Sequence, residues 1–136
     1  MKTDSSLIIE KYKNSSNVID LQNSISNRQG YTHIKGTVGS SLAFISSAIL
    51  SETEELQLFM LQDKEEAVYF FNTLENINEG NKKKKFYFYP ASYKRPYQIE
   101  STDNANVLLR TEVLNAISKN RRNSVVVSYP EAMVEK

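Results

Sequence analysis

The sequence contains no cysteine and a single histidine, His33. The first absence excludes a disulfide framework, a thiolate zinc site and a cysteine nucleophile. The second leaves histidine metal clusters and histidine-centred triads without the further imidazole or ligand they need, so no metal is expected and His33 reads as a packed strand residue. Long apolar runs are missing too. The first ten residues offer only Leu7, Ile8 and Ile9 in a row, well short of the roughly 7–15 residues of a secretory signal. No window approaches the roughly 18 apolar residues of a membrane span. The expectation is a cytoplasmic chain with no membrane partner. Nor is one sign of charge in excess: 17 Lys and Arg against 16 Asp and Glu leave a net charge of +1. No overall field draws nucleic acid or an anionic membrane, and any polyanion contact must come from a local patch.

What the chain does hold is enough apolar content, 40% of 136 residues, to bury one ordinary core. Residues 1–27 are polar and rich in Ser and Asn, with apolar positions at Leu7, Ile8, Tyr12, Val18, Ile19, Leu21 and Ile25. That spacing reads as two short amphipathic helices or a loosely held arm, an N-terminal helical arm over residues 1–30. Residues 31–136 read as one α/β module. Short apolar runs at 31–35 (YTHIK, the weakest), 56–61 (LQLFML), 86–89 (FYFY) and 125–128 (VVVS) suggest strands buried on both faces of a parallel sheet.

Between them lie segments of helical period. Residues 41–50 are apolar nearly all round, as expected for a helix packed deep against a sheet. Asp63 followed by Glu66 has the form of a capping box, and Ala67, Phe70, Phe71, Leu74 and Ile77 make one stripe that ends before Gly80. A third helix is expected over 102–119, with Leu109, Val113, Ala116 and Ile117 on one face. The fold class that follows is α/β: an open, mainly parallel sheet flanked by helices, joined by right-handed crossovers. Pro130 and Glu131 open another helix little more than one turn before Lys136. The expectation is a truncated, N-terminal piece of a much longer chain.

The stretch with most chemical content is Gly36-Thr37-Val38-Gly39-Ser40-Ser41-Leu42-Ala43, between the first expected strand and the first buried helix. A phosphate loop of the form GxxxxGK[ST] belongs at such a place. It needs a second glycine for close backbone approach, a lysine for the phosphates and a hydroxyl for magnesium. Gly36 matches the first glycine, but Ser41, Leu42 and Ala43 stand where the last three belong. Tight ATP binding and hydrolysis are not expected without the lysine and the metal anchor. Two readings stand: a strand-to-helix turn that never bound phosphate, or a degenerate P-loop of the RecA-like class.

The Gly-x-x-Gly-Ser-Ser turn resembles the corresponding turn of the bacterial transcription-repair coupling factors, the Mfd family, and of their relative UvrB. Three further blocks carry the likeness. Residues 58–67 (LFMLQDKEEA) look like the second strand and following helix of the UvrB-like module. Residues 88–98 (FYPASYKRPYQ) with 102–106 (TDNAN) resemble the segment leading from the third strand into a long helix. Residues 125–132 (VVVSYPEA) resemble the strand and turn bearing a Val-Val-Ser/Thr motif. The likeness covers residues 34–136. It implies a non-catalytic N-terminal module of a DNA translocase that removes stalled RNA polymerase at damage and recruits nucleotide excision repair. In that family ATP and magnesium belong to distant motor domains, so no cofactor is expected in this segment. The partners implied for the parent protein are its sister domains, RNA polymerase, UvrA and double-stranded DNA. Family contacts with UvrA map mainly to sequence following this segment.

UvrB inserts a tyrosine-rich hairpin after its third strand, and residues 90–100 are too short for one. Damage probing is therefore not expected, and Tyr93 and Tyr97 read as local packing around a proline turn. Lys82 to Lys85 and Arg121-Arg122 precede strands, on the edge away from the usual ligand side, and read as solubilising charge. Lys94-Arg95 follows a strand and, with Tyr93 and Tyr97 flanking it, is the better candidate for an anion or partner contact. Glu54-Glu55 and Glu65-Glu66 read as solvated or helix-dipole charges. Two other functions remain open at this point: a divergent domain that still grips ATP through the backbone amides of the glycine turn, and a stand-alone protein-interaction domain.

Overall fold

A computed structural model describes residues 4–28, 30–93, 103–119 and 121–135. Its elements are α1 (Asp4–Lys13), α2 (Ser16–Ser26), α3 (Ser41–Leu50), β1 (Gln57–Met60), α4 (Lys64–Ile77), β2 (Lys85–Phe88), α5 (Asn104–Ser118), β3 (Ser124–Ser128) and α6 (Pro130–Val134). They fall into two compact units, Met1–Thr53 with Thr73–Gly80, and Glu54–Asn72 with Asn81–Lys136. Among the described residues no helix is long and apolar enough to cross a membrane.

The first unit is helical. Its apolar spacing puts Val18 and Leu21 of α2 inside, beside Ala43, Ala48 and Leu50 of α3. Tyr12 of α1 stacks on Phe44 of α3, rings 5.9 Å apart and 5° from parallel. Lys13 pairs with Glu52 at 2.7 Å. Both predicted arm helices form, and both pack on α3.

No strand forms at residues 31–38, which corrects the expected first strand. The physical reason is composition: Ile34 is the single aliphatic side chain in YTHIK, and it stays 39% exposed. One such residue supplies too little apolar burial to offset ordering an extended segment. His33 is accordingly exposed rather than packed in a strand.

The second unit holds a three-stranded parallel sheet in the order β1-β3-β2. Leu58 and Tyr87 both lie opposite Val126, and Phe59 and Phe88 both lie opposite Val127. Side chains alternate along a strand, so Phe59, Phe86, Phe88, Val125 and Val127 share one face. Helix α4 covers that face: Phe70 meets Phe59 at 5.3 Å and Phe71 meets Phe88 at 5.6 Å between ring centroids. Asp63 starts α4 as expected, its Oδ1 accepting the Glu66 amide at 2.8 Å.

Helix α5 lies on the opposite face, against β2, and buries Val113 and Ala116. Asp103 caps it, accepting the Ala105 amide at 3.0 Å. Burial on both faces holds for the central β3, every residue of which is buried. It fails for β1, whose burial alternates and whose Leu58 and Met60 remain 50% exposed. An edge strand reached by a helix on one face only has this outcome.

Candidate functional site

The glycine turn is built by backbone geometry. Gly36 and Gly39 have φ of 80° and 55°, the left-handed region that residues with a Cβ enter at a cost of about 1–2 kcal/mol. After them the Ser41 amide donates to the Val38 carbonyl at 3.1 Å. The Val38 amide donates to Ser41 Oγ at 2.8 Å. Ser41 therefore closes the turn onto itself at the start of α3. Leu42 is half-buried, and Ala43 points into the helical core with 2% exposure. A hydroxyl at position 43 would face that core rather than a metal ion. Ser40 precedes α3 without a side-chain cap bond.

Beside this turn lies an open groove of about 490 Å³, lined by Tyr12, Asp20, Ser24, His33, Lys35 and Ser41 among others. Its charged groups are of both signs. Among the described residues no group of three or more His, Asp or Glu could hold a metal ion.

The basic residues that precede strands meet on one edge. Lys84 is buried, and its Nζ donates to Asn123 Oδ1 at 2.8 Å. The Lys85 amide donates to the Asn123 carbonyl, and the Asn123 amide to that of Glu54, at 2.9 and 2.7 Å. Burial pushes the Lys84 ammonium below its ordinary value, and the nearby Glu54 charge works against that shift. Arg122 reaches Glu54 at 3.6 Å with both side chains largely exposed. Lys84 thus joins the loops before β2 and β3, a structural role beyond solubility.

The other edge, where the strands end, carries a denser constellation. Arg110 of α5 lies over the Tyr89 ring at 4.3 Å. Its Nη1 donates to the carbonyls of Pro90 and Ala132 at 2.9 and 3.1 Å, and meets Glu135 Oε2 at 3.3 Å. The Glu135 carboxylate also accepts the Ser92 amide at 2.7 Å and the Ser92 hydroxyl. Tyr129 Oη accepts the Ala91 amide at 2.9 Å, and Asn106 donates to the Ala91 carbonyl at 3.0 Å.

Burial alone would raise the Glu135 pKa. The two Ser92 bonds and the Arg110 charge outweigh it and hold the carboxyl below its ordinary value. For the Tyr129 hydroxyl burial wins: its pKa is raised, with Glu131 and Glu135 adding to burial and the Ala91 amide and Arg110 opposing it.

Of the residues singled out in sequence, Gly36, Gly39, Ser40, Ser41, Leu42 and Ala43 come together as the turn and first residues of α3. Tyr93 is half-buried just beyond the Ser92 site. Lys94, Arg95 and Tyr97 lie outside the described residues. Arg110, Ser92 and Glu135 were not singled out. Arg110 carried a usable signal: it sits three positions before Val113 and beside Leu109, on the flank of an apolar stripe, where a cation requires partners. No family model, curated protein or solved structure matches this chain.

Proposed function

We propose that this chain is a non-catalytic interaction module of the transcription-repair coupling type, with a RecA-like sheet whose phosphate loop has decayed. One observation carries the reading. At the glycine turn, Ser41 is engaged with the Val38 amide and Ala43 is turned into the core, so the second-glycine position closes the turn and the metal-hydroxyl position serves packing instead. The four ordered sequence blocks support it, three of them falling on the strand-to-helix junctions of one parallel sheet. In this reading the module takes no cofactor and works in the cytoplasm. ATP and magnesium act in motor domains elsewhere in the parent protein. Its partners are sister domains, with RNA polymerase, UvrA and double-stranded DNA engaging the whole machine.

Calorimetry with Mg-ATP tests the absence of a nucleotide site. The expected result is no saturable heat, and a dissociation constant below about 100 μM would favour the divergent nucleotide-binding domain instead. A gene that encodes no motor with an intact GxxxxGK[ST] loop beyond this segment would overturn the coupling-factor reading and leave a stand-alone interaction domain.

A further inference from the structure

Three donors converge on one carboxylate where the sheet ends. The Ser92 amide, the Ser92 hydroxyl and Arg110 Nη1 all point at Glu135. The guanidinium and the Ser92 backbone are held by contacts that do not involve Glu135, and the hydroxyl rides on that backbone. The guanidinium is fixed by the Tyr89 ring and by the Pro90 and Ala132 carbonyls. The Ser92 backbone is anchored from α5, its carbonyl accepting the Asp103 amide at 2.8 Å. Ala91, next to it, is pinned by Tyr129 and Asn106. The receptor is thus organised before its occupant arrives, the condition under which an anion binds with least ordering cost.

The occupant is held much less firmly. Glu135 follows the five-residue helix α6. Ala132 is buried, but Met133 and Val134 after it are 44% and 77% exposed. Among the described residues after Ala132, the polar side-chain contacts to the rest of the unit are those of the Glu135 carboxylate. Ser92, Arg110 and Glu135 also lie at the carboxyl ends of parallel strands, the edge where open α/β sheets take ligands.

We propose that Ser92 and Arg110 form a carboxylate receptor, that Glu135 fills it in cis as a displaceable strap, and that an external carboxylate takes its place. The ligand chemistry is a planar carboxylate. It accepts the Ser92 hydroxyl on one oxygen and shares the other between the Ser92 amide and Arg110. It can come from a small free acid or from an acidic side chain of a partner segment. This inference is independent of the coupling-factor reading and stands or falls separately from it.

The test titrates the 136-residue chain and its Glu135→Ala variant with acetate, and with a blocked oligoglutamate peptide, following the Ser92 amide and Arg110 side chain by NMR. A tethered occupant acts at an effective concentration on the order of millimolar, so its removal is expected to tighten acetate binding at least about tenfold. The shifts should centre on Ser92 and Arg110 and weaken in Glu135→Ala/Ser92→Ala. Peptide binding beyond its carboxylate count identifies a partner segment, and equal binding per carboxylate identifies a small acid. No saturable shift in Glu135→Ala up to roughly 100 mM acetate overturns the proposal. So does loss of folded structure in both Glu135→Ala and Glu135→Gln, because the receptor would then depend on its occupant.

Discussion

Asn78, at the end of α4, donates from Nδ2 to both Ser47 Oγ and the Leu74 carbonyl at 2.8 Å, and Ser47 Oγ in turn donates to the Ala43 carbonyl at 2.8 Å. Both side chains are buried, so this relay satisfies polar groups that have no access to water. Replacing Asn78 with Leu removes the buried donor to the Ser47 oxygen, while the Leu74 carbonyl keeps the backbone amide of residue 78. The expected loss is about 1–3 kcal/mol of unfolding free energy, measured by urea denaturation. A cycle with Ser47→Ala should show a coupling above about 0.5 kcal/mol. Strict additivity would mean the relay has no energetic content.

Asn123 has φ of 61° and receives Lys84 Nζ on its side chain. Asn123→Ala loses that bond and adds left-handed strain of about 1–2 kcal/mol. Asn123→Gly loses the bond alone. Glycine is therefore expected to be the more stable of the two variants by about the strain term, and the reverse order would show that the left-handed backbone at position 123 costs alanine nothing.

Acid should destabilise the second unit through Glu135. Its folded pKa is depressed, so its contribution is complete above the unfolded value, near 4.3, and is lost as pH falls through the folded pKa. Glu52 is depressed in the same direction, by the Lys13 hydrogen bond first and the Lys13 charge second. That pair is half-exposed on the Glu52 side and worth under about 1 kcal/mol. Denaturation between about pH 3 and pH 7 should show a flatter acid limb in Glu135→Gln than in Glu52→Gln.

On β3, Val127 is fully buried, and its truncation to Ala is expected to cost about 1.5–3 kcal/mol. Leu58→Ala, on the open face of β1, should cost under about 1 kcal/mol because half the side chain already meets solvent. Equal losses in denaturation would place a cover over β1.

Restoring lysine and threonine at Leu42 and Ala43 should produce no ATP hydrolysis in a phosphate-release assay. Position 43 is 2% exposed, so the added threonine overpacks the helical core and should lower stability by about 1–3 kcal/mol. Turnover in this double variant would show that the glycine turn still holds nucleotide.

Much of the second unit was legible because its signals are local. Three consecutive valines and the FYFY run bury themselves wherever a sheet can form, and Asp63 and Asp103 mark helix starts by satisfying free amides. The edge near β1 was misread because a continuous apolar run looks the same whether a helix covers both faces or one. Residues 31–35 have the look of a weak strand in sequence, but their single aliphatic side chain, Ile34, buries too little surface to order one.

The candidate site divides along the same line. The glycine turn could be read directly, since positive φ demands glycine at 36 and 39 and the missing lysine is a matter of residue identity. The fate of Ser41's hydroxyl could not, because it depends on which amide lies opposite.

The α/β class of the fold and the absence of a lysine from the glycine turn were thus determined by the sequence alone, through periodicity and residue type. The pairing of Arg110 with Ser92 and Glu135, residues 18 and 25 positions away, was decided only by the tertiary structure. Parallel strands separated by helices bring their carboxyl ends together regardless of distance along the chain. No local pattern records which polar groups meet there.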